Sequence, residues 1–434
     1  MKAMTERTVN LNVPVLARVE GEGALDLSIS NGKISELRLR IFEPPRLFEK
    51  FLEGRGHMEV PDMVARICGI CPVAYQMSAV QALESILGIE PTLWIRDMRR
   101  LFYCGEWIES HSLHIHLLAA PDFLGFANAI DMAGKHPEIV RRGLRIQEAG
   151  NAIISFLGGR SVHPVGVRVG GFWHAPASSA AAKLLAELEA LLPETEALVQ
   201  WTSSLPLPDE TQDFECVSLG RANEYPITQG RIISSKGLDI DIAEFDSEFK
   251  ESHAPHSTAL HCHHRGQDYL VGPLARINLN LDQLPAPTRK LMEACGVRFP
   301  SANIFHSIVA RALEIHVAFV EAIRLLKAYA PTDTPYIEAA PRAGVGFGAS
   351  EAPRGILWHR YELDDTGSIV SARIVPPTSQ NQARMEADLR FSLNHFGLDQ
   401  PEHKIRQHAE TVIRNYDPCI SCATHFLKLR IQRP

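Results

Sequence analysis

The chain has 434 residues, a formal net charge of −7 and a hydrophobic content of 45%. The length exceeds what one small core needs, and the composition is ordinary for a globular protein. The acidic balance, without a basic stripe, argues against nucleic acid as a partner. No apolar run reaches the roughly 18 residues of a membrane span. The polar start MKAMTERTVN lacks the apolar core of a secretory signal, so we expect a cytoplasmic protein.

The chain opens with strand patterns and then becomes helical. Apolar and polar residues alternate on both sides of Asn31-Gly32, in ALDLSIS and KISELRLRI, which predicts a β-hairpin. From about residue 45 to 160 the apolar residues recur at helical spacing, as in MVARICGICPVAYQMSAVQALESIL. Residues 179–203 predict an amphipathic helix, or two helices separated at Pro193.

The second half mixes both patterns. Residues 205–275 are rich in proline, glycine and polar residues with short strand-like pieces, and residues 303–330 predict a long helix. Two strand-like runs flank a turn in ILWHRYELDDTGSIVSARIV, and a last helix is predicted over roughly 380–396. No clean linker divides the chain. We therefore predict one domain over residues 1–434, mainly α with small β-sheets (α+β) and a large helical core bundle.

Four of the eight cysteines form two C-x-x-C pairs, Cys68 with Cys71 and Cys419 with Cys422. The thiolates of such a pair lie on one side of a turn, and thiolate-rich sites suit zinc, nickel and iron–sulfur clusters. The pairs of a zinc ribbon are about 15–20 residues apart, whereas these are about 350 apart. Spacing alone leaves a structural four-cysteine zinc site and a catalytic metal site open. Either one requires the core to bring the two ends of the chain together.

The residues that flank both cysteine pairs resemble the motifs of a known family. RICGIC with DPCISCATH closely resembles the paired signatures of the large subunit of nickel–iron hydrogenases. Four more segments resemble motifs of that family in the family's order: RVEGEG at 18–23, RLFEKFLEGR at 46–55, GRSVHPVGVRVGG at 159–171 and EAPRGILWH at 351–359. The related quinone-reducing subunit lacks the nickel cysteines, whereas all four are present here, which favours hydrogen chemistry.

The resemblance implies a nickel–iron centre between the N- and C-terminal cysteine pairs. Cys68 and Cys419 would be terminal nickel ligands, and Cys71 and Cys422 would bridge nickel to an iron that carries carbon monoxide and cyanide. Heterolytic cleavage of H2 needs a metal that takes hydride character and a base that takes the proton. The chain cannot make the diatomic ligands, so the resemblance also implies maturation proteins as partners.

Three polar residues receive roles from the same resemblance. Glu20 corresponds to the family's proton-relay carboxylate, next to a terminal thiolate. Arg354 corresponds to the arginine above the open metal face, where it would polarise the substrate or bond a cyanide. Thr378, in PPTSQN, would donate a hydrogen bond to the other cyanide.

A second cation site is implied near the end of the chain. Glu49 and His425 correspond to its ligands, with a backbone carbonyl near Arg373 and with waters, a set that suits magnesium or iron. His425 also lies at the family's processing point, where an endopeptidase trims the precursor once nickel is in place. Residues 426–434 therefore resemble a cleavable maturation tail.

Two positions depart from the family pattern. The first motif usually continues to a histidine where this chain has Tyr75, and Ser110 stands where many membrane-linked members have an aspartate. Ser110, together with VGPLARIN at 271–278 and PPTSQN, is more similar to the cytoplasmic NAD(P)-linked hydrogenases of the sulfhydrogenase alpha-subunit type.

The remaining cysteines predict how electrons leave. Cys104, Cys216, Cys262 and Cys295 are isolated and are expected to be small buried apolar residues. They offer no iron–sulfur motif, so electrons must leave through another protein, and the resemblance implies that this partner is the family's iron–sulfur small subunit. In this subgroup, diaphorase subunits that reduce NAD(P) would follow, with ferredoxin as the other acceptor.

Three hypotheses from different classes remain at this point. They are a catalytic hydrogenase subunit, a regulatory H2-sensing subunit with little turnover, and a structural zinc protein, which the additional motifs disfavour. The histidine-rich HCHHR at 261–265 is predicted to be a polar loop, since adjacent side chains of a strand point to opposite faces and cannot all meet one ion.

Overall fold

The computed structural model describes residues 8–424, and within them the protein is mainly helical. The helices are α1 (Phe48–Leu52), α2 (Val60–Val64), α3 (Pro72–Leu87), α4 (Leu93–Leu113), α5 (Ala120–Phe123), α6 (Ala129–Lys135), α7 (Pro137–Gly158), α8 (Ser178–Ser203), α9 (Phe245–Glu248), α10 (Pro273–Leu279), α11 (Ala286–Ala294), α12 (Ser307–Lys327), α13 (Pro377–Phe396), α14 (Glu402–Asn415) and α15 (Ile420–Ala423). A π-helical turn, His114–Ala119, continues α4, and single 3₁₀ turns occur at Ile242–Glu244, Leu281–Gln283 and Ile304–His306.

The strands form small antiparallel sheets. They are β1 (Thr8–Val13), β2 (Gly23–Ser30), β3 (Lys33–Ile41), β4 (Val167–Arg168), β5 (Gly171–Phe172), β6 (Val217–Gly220), β7 (Arg231–Ser234), β8 (Asp239–Ile240), β9 (Phe249–His253), β10 (Leu260–His264), β11 (Gly344–Ala352), β12 (Gly355–Leu363) and β13 (Ile369–Val375). The sheets pair as β1-β2-β3, β4-β5, β6-β7-β8, β9-β10 and β11-β12-β13. The predicted α+β class with a helical core is confirmed.

The predicted hairpin at Asn31-Gly32 joins β2 to β3. Asn31 has φ 53° and Gly32 has φ 70°, so both turn residues are left-handed, as in the two-residue turns that match strand twist. Strand β1 adds to the other edge of β2 and completes the first sheet. The position of this sheet matters because Glu43 and Arg46 follow directly after β3.

The core bundle is built around α4 and α12. Helix α4 packs against α7 and α12, and α12 packs against α8. The α4–α7 approach depends on glycine: a Cβ at Gly150 would lie 2.5 Å from the backbone nitrogen of Glu109. The long helix predicted over residues 303–330 is therefore the buried centre of the bundle, observed as α12 with one preceding 3₁₀ turn.

Helix α8 corrects the prediction of a break at Pro193. The helix is continuous from Ser178 to Ser203 with the proline inside it. Proline removes one intrahelical N–H donor, which costs stability but does not always end a helix. Here α8 packs along α12, and the Thr195 hydroxyl donates to the Leu192 carbonyl at 2.7 Å, so tertiary packing outweighs the local penalty.

The HCHHR segment is strand rather than the predicted loop. Residues 260–264 form β10, which pairs with β9 in register Leu260↔His253 to His264↔Phe249. The helix α13 packs across this hairpin. The polar composition predicted a loop, but pairing with β9 satisfies the backbone hydrogen-bonding groups of this segment and makes it a strand.

The sheet β11-β12-β13 leads directly into α13 and holds the middle of the chain close to α3. Strands β11 and β12 pack on α3, and a Cβ at Gly348 would lie 2.0 Å from the Ser78 carbonyl oxygen. The turn between β11 and β12 carries Pro353 and Arg354, and α13 begins next to α15. The helices and turns that carry the two cysteine pairs therefore meet inside one core.

Candidate metal centre

The four paired cysteines converge although they come from opposite ends of the chain. The sulfur of Cys68 lies 3.3 Å from that of Cys419, and the sulfur of Cys71 lies 3.4 Å from that of Cys422. The Cys419 and Cys422 sulfurs are 2.9 Å apart. All four sulfurs fall within 4.8 Å of one another, and all four residues are buried and not bonded as disulfides.

The N-terminal pair lies in the turn that opens α3. Cys71 is the residue before the helix, and the amides of Ile70 and Cys71 donate to the Cys68 sulfur at 3.3 and 3.4 Å. These donors stabilise negative charge on that sulfur. Hydrogen bonds from Cys419, Cys422 and Cys71 lower the pKa of Cys68 well below its ordinary value.

A buried carboxylate holds the start of α3. Glu106, from the middle of α4, accepts hydrogen bonds from the amides of Val73 (2.6 Å) and Ala74 (3.1 Å). These are orphan donors of the first helical turn, directly after Cys71. Burial raises the pKa of Glu106 well above its usual range. The side chain therefore caps the helix that positions one cysteine sulfur.

The C-terminal pair lies in a turn ahead of the short helix α15. Cys419 is the residue before this helix, and its amide donates to the Thr378 hydroxyl at 3.1 Å. Asp417, two residues earlier, has a left-handed φ of 56°, which turns the chain out of α14. Thr378 is buried at the start of α13, so this helix fixes the backbone of Cys419.

Glu20 lies against the C-terminal pair. Its carboxylate Oε2 accepts from the Cys419 thiol and from the Ser421 amide, both at 3.0 Å. Its backbone carbonyl accepts from the Ile420 amide at 3.0 Å. A half-buried carboxylate in hydrogen-bond contact with a buried sulfur can exchange a proton with it.

Arg354 approaches the centre from the β11–β12 turn. Its side chain is 3% exposed and donates from Nε to the Asp417 carbonyl at 2.7 Å and from Nη2 to Asp417 Oδ1 at 3.1 Å. Burial would lower the pKa of Arg354, but Asp417 and the cysteines raise it, so the guanidinium keeps its charge. Its Nη1 is buried and has no hydrogen-bond partner among residues 8–424.

A second arginine holds the turn that carries Arg354. Arg276, fully buried in α10, donates to the carbonyl oxygens of Ala352 (2.8 Å) and Pro353 (2.9 Å). Glu314 of α12 balances its charge through a hydrogen bond from Nη2 at 2.6 Å. The segment VGPLARIN thus contributes a residue that supports the turn rather than one that faces the sulfurs.

The residues of the expected second cation site are only partly described. Glu49 lies in α1, and its Oε1 accepts from the Ile374 amide at 2.7 Å, next to Arg373 in β13. His425 and the expected tail at 426–434 lie outside the described residues. The structure thus brings Glu49 to the strand that was expected to supply a carbonyl ligand.

The two departures from the family pattern are both buried. Tyr75 lies in α3 and Ser110 in α4, and the Ser110 hydroxyl has no hydrogen-bond partner among the described residues. The Tyr75 ring packs 5.7 Å from the His359 ring. Burial raises the pKa of Tyr75 well above its usual value, so the phenol stays neutral.

Some residues that hold the backbone near the four cysteines were not predicted from the sequence. Arg46 stands inside a family-like motif but received no role, and Glu106 and Glu109 contributed only to a helical pattern. The available signal was a glutamate on the apolar face of CGEWIESH, where burial is costly without a partner. Burial raises the pKa of Glu109 to about 7, one helical turn from Glu106.

The donor set fits a soft or borderline transition metal. Four buried sulfurs lie within 4.8 Å of one another, near N–H donors and an arginine that Asp417 holds in place. Apolar packing does not require four thiols to meet, whereas metal binding does. Fold and site together define a mainly helical protein with a buried four-thiolate metal centre. Within residues 8–424, no helix combines the length and apolar content needed to span a bilayer.

The chain belongs to the nickel-dependent hydrogenase family, whose profile matches residues 46–142 and 244–425. It is 32% identical over 415 residues to the alpha subunit of sulfhydrogenase 2 from Pyrococcus furiosus, covering 95% of this chain and 98% of that protein. It is 33% identical over 429 residues to the alpha subunit of sulfhydrogenase 1 from the same organism, covering 97% and 100%.

The fold has a solved counterpart in the same family. A crystal structure of an NAD+-reducing [NiFe]-hydrogenase in the H2-reduced state superposes with a TM-score of 0.85 at 26% identity, covering 97% of this chain and 100% of that one. The sequence-based assignment to the large subunit of nickel–iron hydrogenases, with the sulfhydrogenase alpha subunits among its relatives, is confirmed. The chain is a metal-binding oxidoreductase subunit of the hydrogenase class, with nickel and iron as its metals.

Proposed function

We propose that Cys68, Cys71, Cys419 and Cys422 hold the nickel–iron centre of this hydrogenase and that residues around them handle the proton. The observation that carries the proposal is the buried group of four sulfurs with the Glu20 carboxylate 3.0 Å from Cys419. When bound, a nickel–iron centre supplies an acceptor for the electron pair of H2. The terminal nickel ligands would be Cys68 and Cys419, and the bridging ligands Cys71 and Cys422.

The proton leaves through Cys419 and Glu20. The thiol of Cys419 donates to Glu20 Oε2, so a proton placed on this sulfur has an acceptor already in contact. Glu20 also accepts from the Ser421 amide, which holds the carboxylate in this orientation. Because Glu20 is only half-buried, the proton moves from a buried sulfur towards the outside of the core.

Arg354 would act at the open metal face, and Thr378 at a cyanide ligand. Two guanidinium nitrogens of Arg354 are committed to Asp417, and the buried Nη1 remains to polarise substrate or to bond a cyanide. Thr378 accepts from the Cys419 amide, and a hydroxyl that accepts one hydrogen bond still has a proton to donate. A cyanide nitrogen would accept a hydrogen bond from this hydroxyl, and carbon monoxide would be bound to the iron beside the cyanides.

A second cation, magnesium or iron, would bind Glu49 and His425. The support is the position of the Glu49 carboxylate beside β13, where the Arg373 carbonyl would complete the protein ligands. Maturation proteins would load the centre, and an endopeptidase would then remove residues 426–434. An intact mass that retains these residues in nickel-loaded, active protein would contradict the processing step.

Electrons would pass to an iron–sulfur small subunit. The relatives are named as alpha subunits, which supports a multi-subunit assembly, and a similar solved structure is of an NAD+-reducing enzyme. Diaphorase subunits that reduce NAD(P) would follow, with ferredoxin as the alternative acceptor and the cytoplasm as the compartment. Cys104, Cys216 and Cys262 are buried and lie outside the four-sulfur group, as expected of small apolar residues, whereas Cys295 is only half-buried, contrary to that expectation.

The first test is an infrared spectrum of the full chain purified with its maturation machinery. Carbon monoxide and cyanide bands are expected in the processed protein, and Cys422→Ser is expected to abolish them. The half-buried single cysteine offers a matched control, Cys295→Ser, which should keep both bands. If processed, metal-replete protein lacks these bands, the nickel–iron assignment is wrong and the four sulfurs form a zinc site instead. Turnover with H2 and NAD(P)+ or a dye separates the enzyme from an H2 sensor.

A further inference from the structure

We propose that His256, His261 and Glu386 form a separate metal site, called here the histidine site, for one divalent transition-metal ion of the zinc type. One ligand atom from each residue can be chosen so that all three lie within 4.8 Å of one another. His256 Nε2 and Glu386 Oε1 are 2.8 Å apart. The site shares no residue with the four cysteines, and it does not rest on hydrogenase activity.

Three different elements present these side chains. His261 lies in β10, where it pairs with Ser252 of β9, and His256 lies in the connection between these two strands. Glu386 lies in α13, which packs across the hairpin. A metal bound here would join the hairpin to the helix.

The ligand positions are held before any ion binds. Glu386 Oε1 accepts from the Leu39 amide of β3 at 2.9 Å, which fixes the carboxylate. The connection that carries His256 is held by Thr258, whose amide donates to the Ile41 carbonyl at 2.7 Å and whose hydroxyl donates to the Glu43 carbonyl at 2.9 Å. Such supporting hydrogen bonds orient metal ligands in built sites.

The side chain of His261 indicates a ligand rather than a simple ion pair. His261 is 7% exposed, and its Nε2 is buried without a hydrogen-bond partner among residues 8–424. His256 and Glu386 bond each other, but this pair does not explain why the imidazole of His261 is buried beside them. Burial lowers the pKa of His261, so its ring stays neutral and keeps a lone pair available for a metal.

The donor chemistry selects the class of ion. Two imidazoles and one carboxylate suit zinc and similar borderline divalent ions, whereas magnesium and calcium prefer oxygen ligands. Cys262, next in the chain, does not join the set, because the Tyr269 hydroxyl donates to its sulfur at 3.3 Å on the other face of β10. The side chains of His256 and Glu386 are 19% and 20% exposed, which gives the ion and its waters access.

The position of the histidine site suggests what the ion would stabilise. Ala259, in the same β9–β10 connection, packs with Ile41, Ile420 and Ala423 in one small apolar cluster. Ile420 and Ala423 belong to α15, the helix that carries Cys422. An ion at the histidine site would therefore stabilise the β9–β10 connection against which α15, the helix of the C-terminal cysteine pair, packs.

The test is a Co2+ titration of the full chain whose four cysteines, and whose second cation site at Glu49 and His425, already hold metal. One additional equivalent is expected, with ligand-field bands and without thiolate-to-cobalt charge transfer. Glu386→Gln and His261→Gln should each weaken this binding at least tenfold. The exposed His403 of α14 offers a matched control, His403→Gln, which should bind as the wild type does.

X-ray absorption at the cobalt or zinc edge supplies a second readout. Only nitrogen and oxygen neighbours are expected, with zinc–nitrogen distances of about 2.0–2.1 Å. The proposal is overturned if the loaded wild type takes up no additional ion, which would leave a His–Glu ion pair only. Sulfur among the ligands, or binding that both variants leave unchanged, would also overturn it. Glu386→Gln keeps the size of the side chain and an acceptor for Leu39, so it tests the site even if His261→Gln misfolds.

Discussion

The guanidinium of Arg46 donates a hydrogen bond to the carbonyl oxygen of Ser421, although the two residues are 375 positions apart in the chain. The same nitrogen donates to the Ile67 carbonyl at 2.5 Å. Ile67 directly precedes Cys68, and Ser421 directly precedes Cys422. One arginine side chain thus joins the backbones of both cysteine segments.

Replacing Arg46 should loosen the metal centre. Arg46→Ala removes two charged hydrogen bonds, each worth about 1.5–3 kcal/mol, and leaves the Ile67 and Ser421 carbonyls without this donor. We expect nickel and iron per chain to fall severalfold, measured by elemental analysis of the purified protein. The exposed Arg55, paired with Glu59 only at 3.9 Å, provides the control Arg55→Ala. Equal metal content in both variants would contradict the role of Arg46.

Glu106 should respond differently to two substitutions. Glu106→Ala leaves the buried amides of Val73 and Ala74 unpaired and should lower the free energy of unfolding by about 2–4 kcal/mol. Burial raises the pKa of this carboxyl well above its ordinary value, so glutamine resembles the protonated acid. Glu106→Gln should therefore lose only about 1 kcal/mol. Urea unfolding followed by tryptophan fluorescence measures both, and equal losses would show that the helix cap is not the cause.

Arg354 should matter for turnover more than for stability. Lysine cannot hold Asp417 through two nitrogens and still extend a third towards the centre, so Arg354→Lys should lower kcat by about 10²–10³-fold. The measurement is H2-dependent dye reduction, with metal content and infrared bands checked as unchanged. Arg360 of β12 is half-buried beside Glu362 and away from the four sulfurs, and Arg360→Lys is the matched control. A variant with wild-type kcat would remove Arg354 from the mechanism.

Stability should fall in mild acid because of buried neutral histidines. Burial lowers the pKa of His316 in α12 to about 4, from an ordinary value of 6.5. Between these two values the unfolded chain binds a proton that the folded chain does not, so stability is lost as the pH falls from 6.5 to 4. One histidine contributes up to about 3 kcal/mol at 1.36 kcal/mol per pKa unit.

The contribution of His316 can be isolated by substitution. His316→Gln can still bond the Thr288 hydroxyl, which lies 2.8 Å from His316 Nδ1, and it should flatten the loss of stability between pH 6.5 and 4. The urea midpoint measured across this range gives the slope. His174→Gln, at an exposed position, should keep the wild-type slope. A His316→Gln slope identical to the wild type would show that this ring is not buried neutral.

Much of the architecture was predictable from local pattern. The Asn31-Gly32 hairpin follows from two residues that accept positive φ between alternating runs, and α12 follows from a long apolar periodicity. The predictions failed where tertiary packing overrode the local signal. Pro193 lies inside a continuous helix because α8 packs along α12, and the polar HCHHR segment forms a strand because β9 pairs with it.

For the candidate site, the identity of the sulfur donors could be predicted from the amino-acid sequence alone. The two C-x-x-C pairs indicated a thiolate-rich metal site, and the resemblance of their flanking motifs to the hydrogenase family then implied nickel and iron. The groups that surround these sulfurs could not be predicted in this way, because the fold brings them together. Arg46, Glu106 and Arg276 act through contacts with backbone groups far away in the chain, and no sequence period encodes such contacts. The same reason applies to His261 and Glu386, which become neighbours only once α13 crosses the β9–β10 hairpin.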